Sequence, residues 1–235
     1  MPRPPGHGPG FEIRRQKIID TAAELFARRG YAATSVGDLG RAVGLAKGAL
    51  YYYIDSKENL LIEIQSRVMT PLLARAREIE ALEADPLVRL RLLSESLLTI
   101  IIRRLDHIWV YEHDYRSLSG APRETLLGQR AAFERVVRGL LTEAMGQGRF
   151  RPLDARVATL QFLNLHNHTY QWVKPDGRWD AAQLSREYCD TLLRAFAAPG
   201  AVLPDVEAAA EAFKRDRPDL PLDPEAEWRS TALAS

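Results

Sequence analysis

Apolar residues recur at intervals of three and four along most of the chain, and no convincing strand-type alternation or internal repeat interrupts them. Ile13, Lys17, Ile18, Ala22, Leu25 and Phe26 trace one face of a first helix that begins near Phe11. It ends at Arg28-Arg29-Gly30, with cations in the last turn and a glycine beyond. Ser35 then starts a second helix, with Asp38 as its capping-box partner. Val36, Leu39 and Val43 form the apolar face, and Gly44 stops it. Leu45 leads into a short third helix, Ala46–Tyr53, broken by Asp55-Ser56. Ser56 is a good N-cap for a long fourth helix from Lys57 to about Leu82, which Pro71 should kink or split.

Beyond Pro86 the spacing predicts helices near 86–117, 122–146, 154–172 and 180–197. Pro86 and Pro122 suit first-turn positions, and Gly146-Gln-Gly148 and Lys174-Pro-Asp-Gly177 read as turns. The fold class is therefore all-α. Residues 1–10 hold four Pro and three Gly and read as a disordered arm. After Ala198 five prolines punctuate a tail, 199–235. Its residues 201–235 carry four Lys/Arg against eight Asp/Glu. One helix, about Asp205–Arg215, is expected there, with the rest extended or disordered.

Composition narrows the function classes. The 235 residues are 46% apolar and 27% charged, an ordinary globular balance for one or two domains. A net charge of +1 excludes a wholesale polybasic protein but not a local basic face. Cys189 stands alone, so an intrachain disulfide and a Cys-based zinc finger are excluded, and it reads as a small packed side chain. The longest apolar run, Leu97–Ile102, stops at Arg103-Arg104, well short of the roughly 18 residues of a membrane span. No secretory signal is recognised, and the expected compartment is the cytoplasm.

The informative segment is Ser35–Leu61. Two short helices joined by Val43-Gly44-Leu45 have helix-turn-helix architecture, whose second helix lies in a DNA major groove. Lys47 brings charge, Gly48 and Ala49 keep the surface thin, and Tyr51, Tyr52 and Tyr53 bring long side chains with hydroxyls suited to phosphate. Successive helical residues lie about 100° apart, so the three tyrosines cannot all be buried on one face. Residues 1–60 carry nine Lys/Arg against six Asp/Glu. Arg3, Arg14, Arg15 and Lys17 could follow the DNA backbone, or form a solvated face.

Ile18–Phe26, Gly30-Tyr31, Thr34–Leu39 and the run Gly44–Leu61 together resemble the TetR family of transcriptional regulators. The resemblance implies an all-helical homodimer. A three-helix DNA-binding domain, here 11–56, would join through the fourth helix to a ligand-binding and dimerising domain, here 57–198. It implies that Ser35 and Val36 begin the positioning helix, that Lys47, Gly48, Ala49, Tyr51, Tyr52 and Tyr53 face double-stranded operator DNA, and that Lys57 pins a phosphate. Leu50 and Ile54 would be core; Ile54 stands where the family usually has an aromatic residue. Ala49 stands where Thr or Ser is common, which favours an apolar contact such as a thymine methyl.

Asn164–Trp172 sets His, Asn, Gln and Tyr side chains on an otherwise core-like helix, the mark of a pocket or a dimer interface. Tyr111–Leu118, Gly148–Pro152 and Asn167–Trp172 with Lys174–Gly177 are similar to a TetR subgroup regulating fatty-acid, phenylacetate and steroid degradation. Some members of that subgroup sense acyl-CoA thioesters. Arg103, Arg104, His107, His168 and Trp172 are the ligand-binding candidates, the two arginines meeting the end of the apolar Leu97–Ile102 wall. The competing readings are an ion-paired helix face for the arginines and interface packing for Trp172. His107, Glu112, His113, Asp114, His166 and His168 raise a metal site, but their spacing does not favour one. Neither a metal nor a cofactor is expected. The dimer is expected through the last two regular helices, with Leu160, Leu163, Leu184, Leu192 and Leu193 available. No phosphate-binding Gly-rich loop, Gly-x-Ser-x-Gly elbow or His-Glu-x-x-His occurs, so an enzyme is the remote alternative. The expected function is a ligand-responsive repressor released from a palindromic operator by a small molecule such as an acyl-CoA. The alternative is a repressor or activator sensing an unrelated hydrophobic compound.

Overall fold

The structure, a computed structural model, describes residues 9–217. The expectations for residues 1–8 and 218–235 lie outside the described residues. The elements are α1 (Pro9–Arg29), α2 (Val36–Val43), α3 (Lys47–Tyr51), α4 (Lys57–Glu80), α5 (Pro86–Arg103), α6 (Leu105–His113), α7 (Gly120–Gly146), α8 (Ala155–Asn167), α9 (Ala181–Phe196) and α10 (Val206–Asp216). Short 3-10 turns follow α6 at Tyr115–Ser117 and α8 at His168–Gln171. Among the described residues the only β-pairing is an isolated bridge between Phe150 and Ala197.

Several boundaries differ from the expected ones. α1 begins at Pro9, so the last two residues assigned to the arm are helical. α4 runs on through Pro71 and is not split. The segment expected as one helix over 86–117 is two, because Arg104 leaves helical geometry at φ −131°, ψ 45°. Three successive isoleucines, Ile100–Ile102, precede the break, and β-branched side chains are stiff in a helix. The segment 154–172 is α-helical only to Asn167.

The chain divides into two compact units. The first takes the described residues up to Met69 together with Asp106–Leu126. The second takes Thr70–Leu105 and the described residues from Leu127 onward. The expected boundary near Lys57 therefore differs from the observed one: the first half of α4 and all of α6 except Leu105 lie in the first unit.

α5 is the centre of the second unit, buried on nearly every side from Pro86 to Ile101 and packed on α8, α9 and α10. At 1% exposure, Arg91 carries its charge into this core. All five of its N–H donors are used. Nε and Nη2 donate to the two Glu207 oxygens at 2.8 and 3.0 Å, Nη1 to Glu95 at 2.6 Å and Ser185 at 2.8 Å, and Nη2 to the Ala182 carbonyl at 3.2 Å. Lys214 joins from α10, 3.2 Å from Glu95. α10 is thus an integral layer of this unit, where a helix within an acidic tail was expected.

The network continues inward. Ser185 donates to Ser94 at 2.8 Å, and Ser94 lies 2.6 Å from His166 Nε2. His166 Nδ1 lies 2.7 Å from the Phe162 carbonyl, which can only accept, so Nδ1 carries the proton and Nε2 accepts from Ser94. Phe162 stacks on the His166 ring, and Tyr188 meets it edge-on. Burial holds the His166 pKa down at about 4. Cys189, also buried, has its thiol pushed up to about 11 by desolvation.

A histidine kept neutral in the fold but free to protonate when unfolded makes the unfolded chain bind more protons below pH 6.5. Its contribution is complete above pH 6.5 and falls as pH drops toward 4, by roughly 3 kcal/mol in all. Urea midpoints measured from pH 8 to 4 should be flat in this respect above 6.5 and decline below it, and His166→Gln should flatten that decline.

Candidate nucleic-acid interface

Ser35 caps α2 as the sequence predicts. Its Oγ accepts from the Asp38 N–H at 3.1 Å, and the Asp38 carboxylate accepts from the Ser35 N–H at 2.9 Å. The Ser35 hydrogen bonds, aided by Arg41, hold the Asp38 carboxyl down at about 2. Gly44 adopts the left-handed conformation at φ 68°, and the Leu45 N–H turns back to the Gly40 carbonyl at 2.8 Å. Gly40 matters for a separate reason: a Cβ there would sit 2.7 Å from the Leu45 carbonyl oxygen. Sequence reading found Gly44 and missed Gly40, whose role appears only when the turn closes. Beneath the turn, Leu39, Leu50 and Ile54 are buried, so the aliphatic residue at 54 fills its core position.

The opposite face is open. Lys47, Gly48, Ala49, Tyr51 and Tyr52 are all exposed, with Tyr52 at 64%. Tyr53 is half-buried. Ser35 is exposed and Val36 half-buried at the start of α2. Lys57 departs from its expected place: its ammonium sits over the Tyr31 ring, 4.1 Å from the centroid. Burial lowers its pKa, against the pull of the Asp114 carboxylate. Asp114 is itself raised by burial, while a hydrogen bond from the Tyr31 backbone works the other way. Lys57, Tyr31 and Asp114, each half-buried, therefore form a local cluster of the first unit. Of the cations suggested for the DNA backbone, Arg14 and Lys17 are exposed, and Arg15 pairs with Glu63 at 3.0 Å.

The five ligand candidates differ in burial and in the unit they belong to. Arg103 is exposed and Arg104 half-buried at the end of α5, in the second unit. His107 belongs to the first unit, where it is buried 3.4 Å from Asp20 of α1. His168 and Trp172 are exposed just beyond α8, Trp172 at 47%. Among the described residues no three His, Cys, Asp or Glu side chains are grouped to hold a metal ion.

Comparison with known proteins extends this picture. A family model described as "Bacterial regulatory proteins, tetR family" matches residues 18–64. Another, "Tetracyclin repressor-like, C-terminal domain", matches 83–196. The crystal structure of PfmR, a TetR family transcriptional regulator from Thermus thermophilus, is 34% identical with a TM-score of 0.70, covering 76% of this chain and 97% of that one. The chain belongs to the TetR family. The HTH-type transcriptional repressor KstR2 of Rhodococcus jostii (strain RHA1) is 28% identical over 200 residues, 84% of this chain and 98% of the relative. AibR, solved in complex with isovaleryl coenzyme A and operator DNA, is 26% identical with a TM-score of 0.66, covering 78% of this chain and 98% of that one. This TetR-family chain is accordingly a DNA-binding transcriptional regulator and not an enzyme.

Two outcomes test the interface. Lys47→Ala and Tyr52→Ala should each weaken operator binding by roughly 1 kcal/mol without unfolding the protein, and Lys47→Ala should lower the salt slope by about one. Unchanged affinity and slope in both would remove α3 from the groove. Gly40→Ala should cost about 1–3 kcal/mol of stability through the collision with the Leu45 carbonyl, read as a lowered unfolding midpoint.

Proposed function

We propose that this TetR-family regulator binds a palindromic operator as a homodimer, represses there, and is released by an acyl-CoA thioester. The observation that carries the DNA half is the exposed face Lys47–Tyr52 behind a closed helix-turn-helix turn. The acyl-CoA half is supported by likeness to AibR, whose complex holds isovaleryl coenzyme A, and by the basic Arg103-Arg104 pair that follows the apolar Leu97–Ile102 run of α5. Ser96 on α5 adds a buried hydroxyl with no hydrogen bond among the described residues, the kind of group a ligand can satisfy.

The proposed route from ligand to DNA follows the chain itself. α5 passes through Arg104 directly into α6. α6 is fastened to the DNA-binding unit by His107 beside Asp20, by Gln65 donating to the Val110 carbonyl at 3.3 Å, and by the Tyr111 hydroxyl 3.1 Å from the Met69 sulfur. A ligand that shifts the end of α5 would shift α6 and the reading head with it. Two heads must meet half-sites about 34 Å apart or a multiple of that, so a small motion suffices to lose DNA. In this account His107 transmits the change, while the arginines meet the ligand.

The dimer reading rests on α8. Val157 and Leu160 are 52% and 42% exposed, and with Asn164, His168 and Trp172 they leave one side of α8 and its following turn uncovered. Leu184 and Leu193 are buried within their own chain and cannot centre a dimer, while Leu163 and Leu192 are half-buried. His168 and Trp172 fit this surface better than a ligand pocket. No described helix is long and apolar enough to cross a membrane, and the proposed compartment is the cytoplasm, where operator DNA is found.

Titrating the operator complex with acyl-CoA esters, the matching free acids and an uncharged aromatic compound tests the effector class. Release by the CoA esters, weakened in Arg103→Ala and Arg104→Ala, is expected. Release by the aromatic compound alone would instead support a sensor of unrelated hydrophobic molecules. Sedimentation should show a dimer at micromolar concentration and a monomer for Leu160→Glu; a monomeric parent protein would refute the dimer.

A further inference from the structure

We propose that Phe11 is a positioning residue for DNA reading, holding Tyr52 and Tyr53 in the orientation in which they meet the operator. The proposal rests on the reading of α3 as the groove-facing helix. α3 has five residues and buries only Leu50, and Tyr52 and Tyr53 follow its last residue. Tyr52 is the most exposed of the three tyrosines whose side chains face DNA in this reading. The helix itself therefore does little to fix these rings.

The first turn of α1 supplies what α3 lacks. The Phe11 ring stacks on Tyr53 at 5.0 Å and 20°, and meets Tyr52 edge-on at 5.4 Å and 90°. Tyr52 and Tyr53 meet each other edge-on at 5.2 Å and 86°. Both arrangements are ones that aromatic pairs favour, and all three separations lie in the attractive range. Phe11 is carried on a firm base, because Ile18, Ile19, Ala22, Ala23 and Phe26 of the same helix are buried. The three rings form a closed triangle with one corner on a core helix and two corners on the reading surface. A side chain already held in its bound rotamer loses less freedom on binding, so the triangle favours the sequence-reading complex. Contacts to phosphate that rely on charge alone gain nothing from it.

The test measures binding of the full chain to an operator duplex and to a non-specific duplex by fluorescence anisotropy, with the thermal midpoint followed in parallel. Phe11→Leu keeps an apolar side chain and removes the stacking. It should weaken operator binding about tenfold while non-specific affinity and salt slope stay unchanged, with a fall in the thermal midpoint no larger than the loss of two ring contacts brings. Phe11→Tyr should restore operator binding to within about twofold, because it restores the ring. Phe11→Leu combined with Tyr52→Ala should be little weaker than Tyr52→Ala alone, since both break the same triangle. If Tyr52→Ala weakens operator binding and Phe11→Leu does not, the proposal is overturned and the reading of α3 stands. A parallel loss of operator and non-specific binding with a lowered midpoint makes Phe11 merely structural and also overturns it. If neither Lys47→Ala nor Tyr52→Ala has any effect, the reading of α3 fails and the proposal with it.

Discussion

The DNA-binding half of this protein depends on the close passage of backbone over backbone at Gly40 and Leu45. A five-residue helix such as α3 has almost no stability of its own, since helix nucleation is unfavourable and one turn returns little. Its place must be imposed from outside. Gly40 lets Leu45 come near enough to accept the turn, Gly44 takes the left-handed step, and Leu50 and Ile54 pin the far side into the core. The result is a thin helix with its polar and aromatic residues outward, which is what entry into a groove requires.

The second unit is organised by a different constraint, a buried charge. An arginine at 1% exposure is strongly unfavourable unless paired, and Arg91 draws partners from its own helix, from α9 and from α10. Glu207 lies beyond residues 83–196, the part matched by the C-terminal family model. The segment after α9 therefore completes the core of the second unit, and its helix is tied to α5 by the Arg91–Glu207 and Lys214–Glu95 ion pairs.

The local signals in the sequence were strong where they were short-range. Ser35 with Asp38 and Gly44 follow from capping and turn chemistry within a few residues, while the burial of Leu50 and Ile54 was implied by the family resemblance. The signals weakened where a residue's role depends on distant partners. Lys57 looked like a phosphate ligand, and only the placement of Tyr31 and Asp114 shows its ammonium lying over an aromatic ring beside a carboxylate. Leu184 and Leu193 looked available for a dimer, and tertiary packing buries them. His166 sat in a cluster that suggested a pocket, yet its hydrogen bonds to Ser94 and the Phe162 carbonyl make it a core group. Phe11 carried only the mark of a helix start, because its ring partners lie more than forty residues away. The break at Arg104 was similarly hidden inside a continuous apolar pattern.

The central claim is that paired copies of α3 read successive turns of one face of the operator. Hydroxyl-radical footprinting on an operator selected from random duplexes tests it most directly. Two protected patches are expected on the same face of the duplex, with centres about 10 base pairs or a multiple apart, both lost together in a Lys47→Ala, Tyr52→Ala double variant, which leaves the buried Leu50 in place. A single patch, or two patches that persist in that variant, would contradict it.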